Sequence, residues 1–419
     1  MKATRISLFV LAVVIFVAES TNHSFAAEVK GPIKVFILAG QSNMVGKGYP
    51  EPIAWQVTQE KYRRRYTHFI KDGDYKAFAK KAAETTDASI PWNRQQTTVY
   101  LWSVRGDVWV SYREDYGALT VGFGGGKNIF GPEYNFGHVM GDYYDEQVLI
   151  IKTAWGGRAL ARGFLSPSSM LTDAEYAKLA VEQNKESAAW NAGEKEKIEA
   201  YNKKIIEQNK TAKKKQKLRT FKPRKIVTSA EYKDQFGKDY RMMLSEVRQC
   251  LNALGRRFSG YKDQGYEIKG FVWFQGWNDQ YNQRWLSYEK NMANFIRDVR
   301  KDFKAPKMPF VIGQMGHGGL LPDKKDSPRE HIKKAQAAVP NYPEFKGNTL
   351  CVRTDKFWDM DAHAIITGPG GWSKDIKKWR RFGNDHGYHY YGSPWTFAQI
   401  GTAFGKGMIE LLKQGTPAD

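Results

Sequence analysis

The chain has 419 residues, a formal net charge of +21 and only two cysteines, Cys250 and Cys351. This length allows one large α/β domain with insertions, or two domains. Two cysteines exclude a disulfide-stapled scaffold and a cysteine-rich zinc site, and the sequence leaves open whether the two pair.

Residues 1–27 have the layout of a secretory signal. Lys2 and Arg5 precede an apolar stretch at 6–18, and small residues follow up to Ala27. We therefore expect cleavage near Ala27 and an exported protein, whether periplasmic, cell-surface or secreted, with no membrane partner after cleavage. The alternative is an uncleaved N-terminal anchor, although the apolar stretch is short for a membrane span.

Five short apolar runs predict buried parallel strands. They are rich in Val, Ile and Phe and lack the alternation of a one-sided sheet. The runs lie at 33–39, 147–153, 268–274, 308–315 and 349–355. Helix-like patterns separate several of these runs, so the order favours an α/β fold with a doubly wound parallel sheet.

Two regions interrupt this order of elements. Residues 47–130 are rich in aromatic residues and glycine, and they predict long loops or short strands over the carboxyl edge of the sheet. Residues 172–240 have a helical composition and predict an inserted helical hairpin or protruding lid that ends at Pro223. A solvated charged helix without a binding function is the alternative interpretation of this insertion.

The positive charge is concentrated in the insertion. Residues 201–225 contain eleven Lys or Arg and one acid, about half of the excess charge. Such a segment attracts acidic polysaccharide, an anionic cell surface or nucleic acid. We do not expect nucleic acid as a partner, because no recognised binding module accompanies the charge.

A small polar turn, Gly40-Gln41-Ser42-Asn43, follows the first predicted strand. A serine at this place stands clear of the sheet edge, and its own N–H points with the helix amides toward developing negative charge. This geometry suits a nucleophile. The alternative is that Ser42 or Asn43 only caps the next helix.

Three further segments offer the groups that a nucleophilic serine needs. Each lies at the carboxyl end of a predicted strand or in a loop that leads into a helix, and these ends converge on one edge of an open sheet. The segments contribute, in chain order, Gly156 and Gly157, then Gln275, Gly276, Asn278 and Asp279, and then Asp385, His386 and His389. We therefore predict one site built from four segments.

In order, these segments resemble the conserved blocks of the SGNH hydrolases. The resemblance is strongest to the carbohydrate-esterase branch, which contains sialate O-acetylesterases and family 6 acetylxylan esterases. The turn at 40–44 matches that branch's nucleophile block, in which Gln replaces the Asp of the wider superfamily. Gly157, or its neighbour Gly156, falls on the glycine block.

The third segment resembles the Gly-x-Asn-Asp block of the same hydrolases. Gly276, Asn278 and Asp279 fit that block, whose Asn side chain completes the oxyanion hole. Gln275 fits the branch's His-Gln-Gly variant, with Phe274 in place of the His.

The resemblance implies a fold and a set of roles. The fold is a three-layer α/β/α sandwich with a central, mostly parallel sheet of the flavodoxin-like SGNH type. Ser42 is the nucleophile and His389 the base, with Asp385 as its orienting acid. The N–H groups of Ser42 and Gly157 and the Asn278 side chain hold the oxyanion. No metal and no cofactor is expected.

The last segment departs from the superfamily pattern. Asp-x-x-His is the superfamily block, but here Asp385 precedes His389 by four residues and is adjacent to His386. We prefer His389 as the base because it leads into a helix, and His386 is the alternative. Asp279 is an alternative acid, and a Ser–His dyad oriented by a backbone carbonyl is also open.

The implied activity is removal of O-acetyl groups from carbohydrate through an acyl-enzyme. Trp155, Trp273 and Trp277 flank the predicted site and suit sugar stacking, although core packing is the alternative, above all for Trp273. The expected partner is an acetylated carbohydrate, and an anionic polysaccharide could reach the protein through the lysine-rich insertion. A catalytically silent carbohydrate-binding protein and a lipase or aryl esterase are the competing hypotheses.

Overall fold

The computed structural model describes residues 31–85 and 101–414, so the predicted signal peptide lies outside the described residues. A seven-stranded sheet forms the centre, in the order β3-β2-β4-β1-β5-β6-β7. The strands are β1 (Ile33–Gly40), β2 (Arg105–Tyr112), β3 (Asp115–Leu119), β4 (Val148–Ala154), β5 (Tyr266–Phe274), β6 (Phe310–Gln314) and β7 (Thr349–Arg353). Only β3 pairs antiparallel, with β2; the other pairings are parallel.

The five predicted strands are all present, as β1, β4, β5, β6 and β7, and their ends differ from the predicted ends by no more than two residues. β2 and β3 are short strands from the region 47–130. They extend the sheet sideways at one edge and do not lie over its carboxyl edge, because β2 pairs in register with β4 from Val108↔Val148 onward.

Helices cover both faces of the sheet. Along β1, Phe36 and Leu38 face one buried cluster while Val35 and Ile37 face the other, so every residue of this central strand is buried. The α-helices are α1 (Ser42–Val45), α2 (Glu51–Gln56), α3 (Glu60–Arg63), α4 (Tyr75–Thr85), α5 (Pro132–Tyr143), α6 (Asp173–Thr211), α7 (Ser229–Asp234), α8 (Lys238–Leu251), α9 (Leu254–Arg257), α10 (Tyr288–Asp302), α11 (Pro328–Ala338), α12 (Met360–Thr367), α13 (Gly371–Lys374), α14 (Ile376–Trp379) and α15 (Pro394–Gln414).

The helices α5 and α15 pack on the first face, and α8, α10 and α11 pack on the second. The three-layer α/β/α sandwich with a mostly parallel sheet is therefore confirmed. Because the strands are parallel, the loops that follow β1, β4 and β5 all open at one edge.

The insertion is one long helix followed by an extended return. α6 has 39 residues, which corresponds to about 58 Å, and it starts at a capping box formed by Thr172 and Glu175. Residues 212–228 contain no helix and run back to α7. The predicted helical hairpin is wrong in its second half, and Pro223 lies within the return. A run of lysines there disfavours a second helix, since like charges would repel at helical spacing.

Both cysteines are free thiols, with Cys250 buried and Cys351 partly buried. Within residues 31–85 and 101–414, no helix is at once long enough and apolar enough to cross a membrane.

Candidate active site

The turn after β1 places Ser42 at the first position of α1. Gly40 has a φ of 153°, and a Cβ there would collide with the backbone of Phe274 on the neighbouring strand. The turn therefore needs glycine so that β1 and β5 can end side by side. α1 is only four residues long, so it offers individual N–H groups at this edge and not the amino end of a long helix.

Ser42 opens into a cavity of about 530 Å³ that also receives the other predicted segments. Six predicted site residues line it: Gln41, Ser42, Gly156, Gly157, Asn278 and His389. Four distant parts of the chain thus meet at one edge of the sheet. Gly157 has a φ of 72° and open space where a Cβ would be, so its backbone can face a ligand closely.

Gln41 fixes the orientation of the Asn278 side chain. Its Nε2 donates to Oδ1 of Asn278 at 3.1 Å, and its Oε1 accepts from the N–H groups of Gly276 and Asn278, both at 3.3 Å. Because Oδ1 of Asn278 is occupied, its Nδ2 remains as the group that can donate into the cavity. Gln41, which follows β1, therefore orients the amide donor of Asn278, which follows β5.

Gln275 and Gly276 lie beneath the cavity and do not line it. Nε2 of Gln275 donates to Oε1 of Gln41 at 3.2 Å and to Oδ2 of Asp279 at 2.6 Å. Both residues are buried, so the structure places them behind Gln41 and away from a bound substrate. Gln275 and Gly276 were predicted as oxyanion or substrate-binding residues, and the structure places them in a position that supports Gln41.

Asp279 does not contact His389. It is fully buried, and its carboxylate accepts from the N–H groups of Leu160 at 2.8 Å and Ala161 at 2.9 Å. Burial raises the pKa of this carboxyl to about 6, against the opposing effect of these hydrogen bonds. The alternative role of Asp279 as the acid beside the histidine is therefore corrected: Asp279 ties the loop that follows Gly157 to the end of β5.

Asp385 is the carboxylate beside His389. Nδ1 of His389 lies 3.1 Å from Oδ1 of Asp385, and the two side chains are 15% and 12% exposed. The same carboxylate accepts from the N–H of His386 at 2.7 Å and from the hydroxyl of Tyr49 at 3.2 Å. His386 lines a separate cavity, whereas His389 lines the cavity that contains Ser42.

The pKa of the Asp385 carboxyl is lowered from its ordinary value. Burial acts to raise this pKa, but contact with His389 and the N–H of His386 outweigh it. Burial and the charge of Asp385 raise the pKa of Tyr49, so Tyr49 stays protonated and can donate. The carboxylate therefore remains ionised at neutral pH, with donors on both of its oxygens.

The loop that carries His389 holds two residues in the left-handed region. Tyr390 and Tyr391 have φ values of 50° and 59°, which costs about 1–2 kcal/mol for each non-glycine residue. Packing compensates, because both rings are buried and the Tyr390 hydroxyl accepts from the N–H of Gly316 at 2.8 Å. Asn43 also donates to the Tyr388 carbonyl at 3.1 Å. This bond ties the serine turn directly to the histidine loop.

The three tryptophans expected near the site divide into two groups. Trp277 lines the cavity, and its ring lies 5.5 Å from that of Tyr388. Trp273 is fully buried in the core, in agreement with the core-packing alternative. The ring centroid of Trp155 lies 5.8 Å from that of Phe164.

Sequence reasoning missed several residues of the site. Tyr49 and Asn43 support the histidine loop, and Lys47 and Arg113 line the cavity. Nothing in the local sequence marks Tyr49, Lys47 or Arg113, whereas Asn43 lies in the predicted serine turn and was considered only as a helix cap. Tyr388 was adjacent to a predicted residue, and its aromatic character beside His389 was the available signal.

A mostly parallel α/β sandwich with a serine, a histidine and an amide donor at one edge of the sheet has the architecture of a hydrolase. A family model described as carbohydrate esterase, sialic acid-specific acetylesterase, matches residues 32–220 and 227–365. The match covers well over half of the chain, so the chain belongs to this family. It is a carboxylic ester hydrolase of the carbohydrate-esterase class. The match includes Ser42 and Asn278 and ends before Asp385 and His389.

Solved structures with similar folds include a protein from Arabidopsis thaliana, 13% identical, with a TM-score of 0.42, over 90% of this chain and 98% of that one. A carbohydrate acetylesterase from Xanthomonas citri is 13% identical, with a TM-score of 0.35, over 76% and 49%. NanS is 12% identical, with a TM-score of 0.34, over 78% of both chains. No curated protein sequence matches the chain. At these TM-scores the structures carry no inference about substrate.

Proposed function

We propose that this carbohydrate esterase is a serine enzyme that removes O-acetyl groups from carbohydrate through an acyl-enzyme. One observation carries the proposal: Ser42, Asn278 and His389 line the same cavity, and Nδ1 of His389 lies 3.1 Å from an ionised carboxylate. A nucleophile, a base with its orienting acid and an oxyanion donor are the groups that acyl transfer requires.

The first half of the reaction forms the acyl-enzyme. Nε2 of His389 takes the Ser42 proton while Oγ attacks the ester carbonyl. The N–H groups of Ser42 and Gly157 and Nδ2 of Asn278 hold the oxyanion, and each such donor is typically worth about 3 kcal/mol of the barrier. His389 then returns the proton to the sugar oxygen, which leaves as a hydroxyl.

Water completes the second half. His389 takes a proton from water, the resulting hydroxide attacks the acetyl carbonyl, and Ser42 recovers the proton when acetate leaves. Asp385 holds the imidazole by Nδ1, so that Nε2 faces the serine, and it stabilises the imidazolium that forms in each half. The Tyr49 hydroxyl holds Asp385 in place from the other side.

The walls of the cavity favour acetyl over long acyl groups. Among the residues that line it, Val45 is the single aliphatic side chain, and aromatic rings of Trp277, Tyr281 and Tyr388 stand at the rim. A lipase needs an extended apolar channel for its acyl chain, whereas aromatic faces suit the C–H faces of a sugar ring. These walls support a carbohydrate ester as the substrate.

Two cations favour an anionic carbohydrate. Lys47 and Arg113 line the cavity, and neither forms an ion pair with a carboxylate in the part of the chain that the structure describes. A carboxylate or sulfate on the sugar would gain charge-assisted contacts with them. We therefore propose an acetylated, negatively charged oligosaccharide or polysaccharide, met outside the cytoplasm after export.

Acetate release from a panel of acetylated glycans tests the proposal. We expect turnover with wild type and none above background with Ser42→Ala, with acidic glycans preferred over neutral ones. Lys47→Met should raise KM several-fold for the acidic glycans and by less for the uncharged p-nitrophenyl acetate. Lys290→Met, at an exposed lysine of α10, is the matched control.

Three outcomes would contradict the proposal. Turnover that survives in Ser42→Ala would remove the serine mechanism. A preference for long-chain esters over acetyl would favour the lipase hypothesis. Glycan binding without any acetate release would favour a silent carbohydrate-binding protein.

A further inference from the structure

The inserted segment at residues 173–228, hereafter the arm, has a strong charge asymmetry that the proposed chemistry does not use. Its proximal part, residues 173–200, carries seven acids and four lysines. Its distal part, residues 201–225, carries eleven Lys or Arg and one acid. Most of the positive charge therefore sits in the outer half of a helix about 58 Å long, while the end of the distal part returns to the middle of α6, where Arg224 pairs with Asn191.

Four asparagines of α6 hold the return segment against the helix. Each one uses its whole amide: Oδ1 accepts from a backbone N–H at 2.6–2.9 Å, and Nδ2 donates to the carbonyl of the same residue at 2.7–2.9 Å. The pairs are Asn184 with Val227, Asn191 with Arg224, Asn202 with Arg219, and Asn209 with Gln216. The return therefore has a fixed register on the helix.

The spacing of these pairs defines the shape of the return. The first two asparagines are seven residues apart on α6, as are the last two, and in each case their partners on the return are three residues apart. The two central asparagines are eleven residues apart, and their partners are five apart. Seven helical residues rise about 10.5 Å, and three residues of polyproline-II chain extend about 9.3 Å. The two lengths agree, so the return is an extended chain antiparallel to the helix.

In this register two exposed arginines of the return stack on aromatic rings of α6, whereas the lysines extend into solvent. Arg219 stacks over the Tyr201 ring at 4.0 Å and Arg224 over the Trp190 ring at 4.3 Å. The exposed distal lysines have no carboxylate partner in the part of the chain that the structure describes. They are Lys203, Lys204, Lys213, Lys214, Lys215, Lys217 and Lys222.

We propose that the distal part of the arm binds an anionic polysaccharide and so holds the polymer whose esters the active site removes. The unpaired lysines repel one another, and a polymer with regularly spaced carboxylates or sulfates would neutralise this repulsion. Lysine is a flexible point charge, which suits a polymer contacted without a fixed register. That the polymer is also the substrate rests on the proposed function, whereas the binding itself does not.

Two features of the arm favour polysaccharide over other polyanions. Two of the rings that could stack on nucleic-acid bases are already occupied, because Arg219 covers Tyr201 and Arg224 covers Trp190. Ile206 and Leu218 are the large hydrophobic residues that are half-exposed on the described distal arm, too few to form the apolar face with which an amphipathic helix enters a bilayer.

Binding of polygalacturonate by the full-length mature protein tests this inference. One variant replaces Lys213, Lys214, Lys215 and Lys217 by Gln; the matched control replaces Lys178, Lys185, Lys195 and Lys197, which are exposed on the proximal part of the same arm. Both variants lose four positive charges. We expect Kd to rise about tenfold or more for the distal variant and less than about twofold for the proximal one, with an affinity that falls steeply with salt.

Activity separates this inference from the proposed function. Both variants should hydrolyse p-nitrophenyl acetate as wild type does, and only the distal one should show a raised KM on an acetylated acidic polymer. Binding without any turnover would contradict the esterase proposal alone. Equal Kd values for the two variants, or tighter binding to anionic phosphatidylglycerol vesicles or duplex DNA than to polygalacturonate, would overturn the arm proposal.

Discussion

The edge of the sheet and the arm both depend on side-chain amides, but they use them differently. At the edge, Gln41, Gln275 and Asn278 are bonded to one another, so the position of each depends on the others. In the arm, each asparagine binds one backbone residue, and the pairs share no atoms. The edge network therefore acts as one unit that orients the Asn278 amide, whereas the arm is a series of local, separable contacts.

The largest effect should come from Asp385→Asn at the edge. The substitution keeps the shape but removes the charge that stabilises the imidazolium, and we expect kcat to fall by roughly a thousandfold or more. Because the pKa of Asp385 is lowered in the folded protein, its carboxylate is ionised at neutral pH. The stabilisation that this charge gives to the imidazolium is lost only as pH falls below the ordinary aspartate range. Steady-state kinetics on p-nitrophenyl acetate from pH 3 to 9 measure both effects.

Tyr49→Phe is the companion variant, because it removes one donor to the same carboxylate and leaves the charge. A tenfold loss or less is expected. A loss in Tyr49→Phe as large as that in Asp385→Asn would show that the acid acts through its position alone.

Next, Gln41→Ala tests whether the edge behaves as one unit. Without Gln41 the Asn278 amide is free to rotate, and we expect kcat/KM to fall by about a hundredfold, close to the loss for Asn278→Ala. The double variant should lose little more than either single one. Gln249→Ala, at an exposed glutamine of α8, is the control, and additive losses in the double variant would refute the coupling.

A smaller effect concerns pH and stability at Asp279. Burial raises its pKa to about 6 in the folded protein, so the contribution of this group to stability is fully present below about pH 4 and is lost as pH rises through 6. The free energy of unfolding of wild type relative to Asp279→Asn should therefore decline between these values, by something on the order of 1–3 kcal/mol. Urea unfolding across pH 4–8 measures it, and a difference that grows with pH would contradict the assignment.

The smallest effect should come from the arm. Asn202→Ala removes two exposed hydrogen bonds, and we expect a local loss of about 1 kcal/mol or less. Hydrogen exchange at the Arg219 amide should accelerate, while the Val227 amide and the esterase activity stay unchanged. Asn184→Ala should show the reverse pattern, and loss of protection along the whole return in either variant would mean that the arm, too, is cooperative.

The sequence predicted those features of the fold and of the site that short-range patterns encode. Continuous apolar runs marked β1, β4 and β5, and residue type and order marked Ser42 and His389. β2 was harder, because its first residues are polar and partly exposed while only its second half is buried. The return of the arm was predicted as helix because lysine and glutamine favour helices. A single asparagine in the sequence of α6 gives no sign that it will bind the backbone of the return.

The remaining parts of the site depend on contacts that no local pattern contains. Tyr49 reaches Asp385 across 336 residues, and the orientation of Asn278 depends on Gln41 at a separation of 237. Lys47 and Arg113 come from the region 47–130, which was predicted to lie over the carboxyl edge of the sheet, but no residue of it was assigned to the site. Such contacts follow from the order of strands in the sheet, so they become visible only when the fold is known.

Covalent labelling tests the central claim most directly. The protein is treated with a serine-directed fluorophosphonate, and the adduct is located by peptide mass spectrometry. We predict one stoichiometric adduct on Ser42 in wild type, slower labelling in His389→Ala and none in Ser42→Ala. An unlabelled Ser42 in a protein that still releases acetate, or an adduct on another serine, would contradict the account.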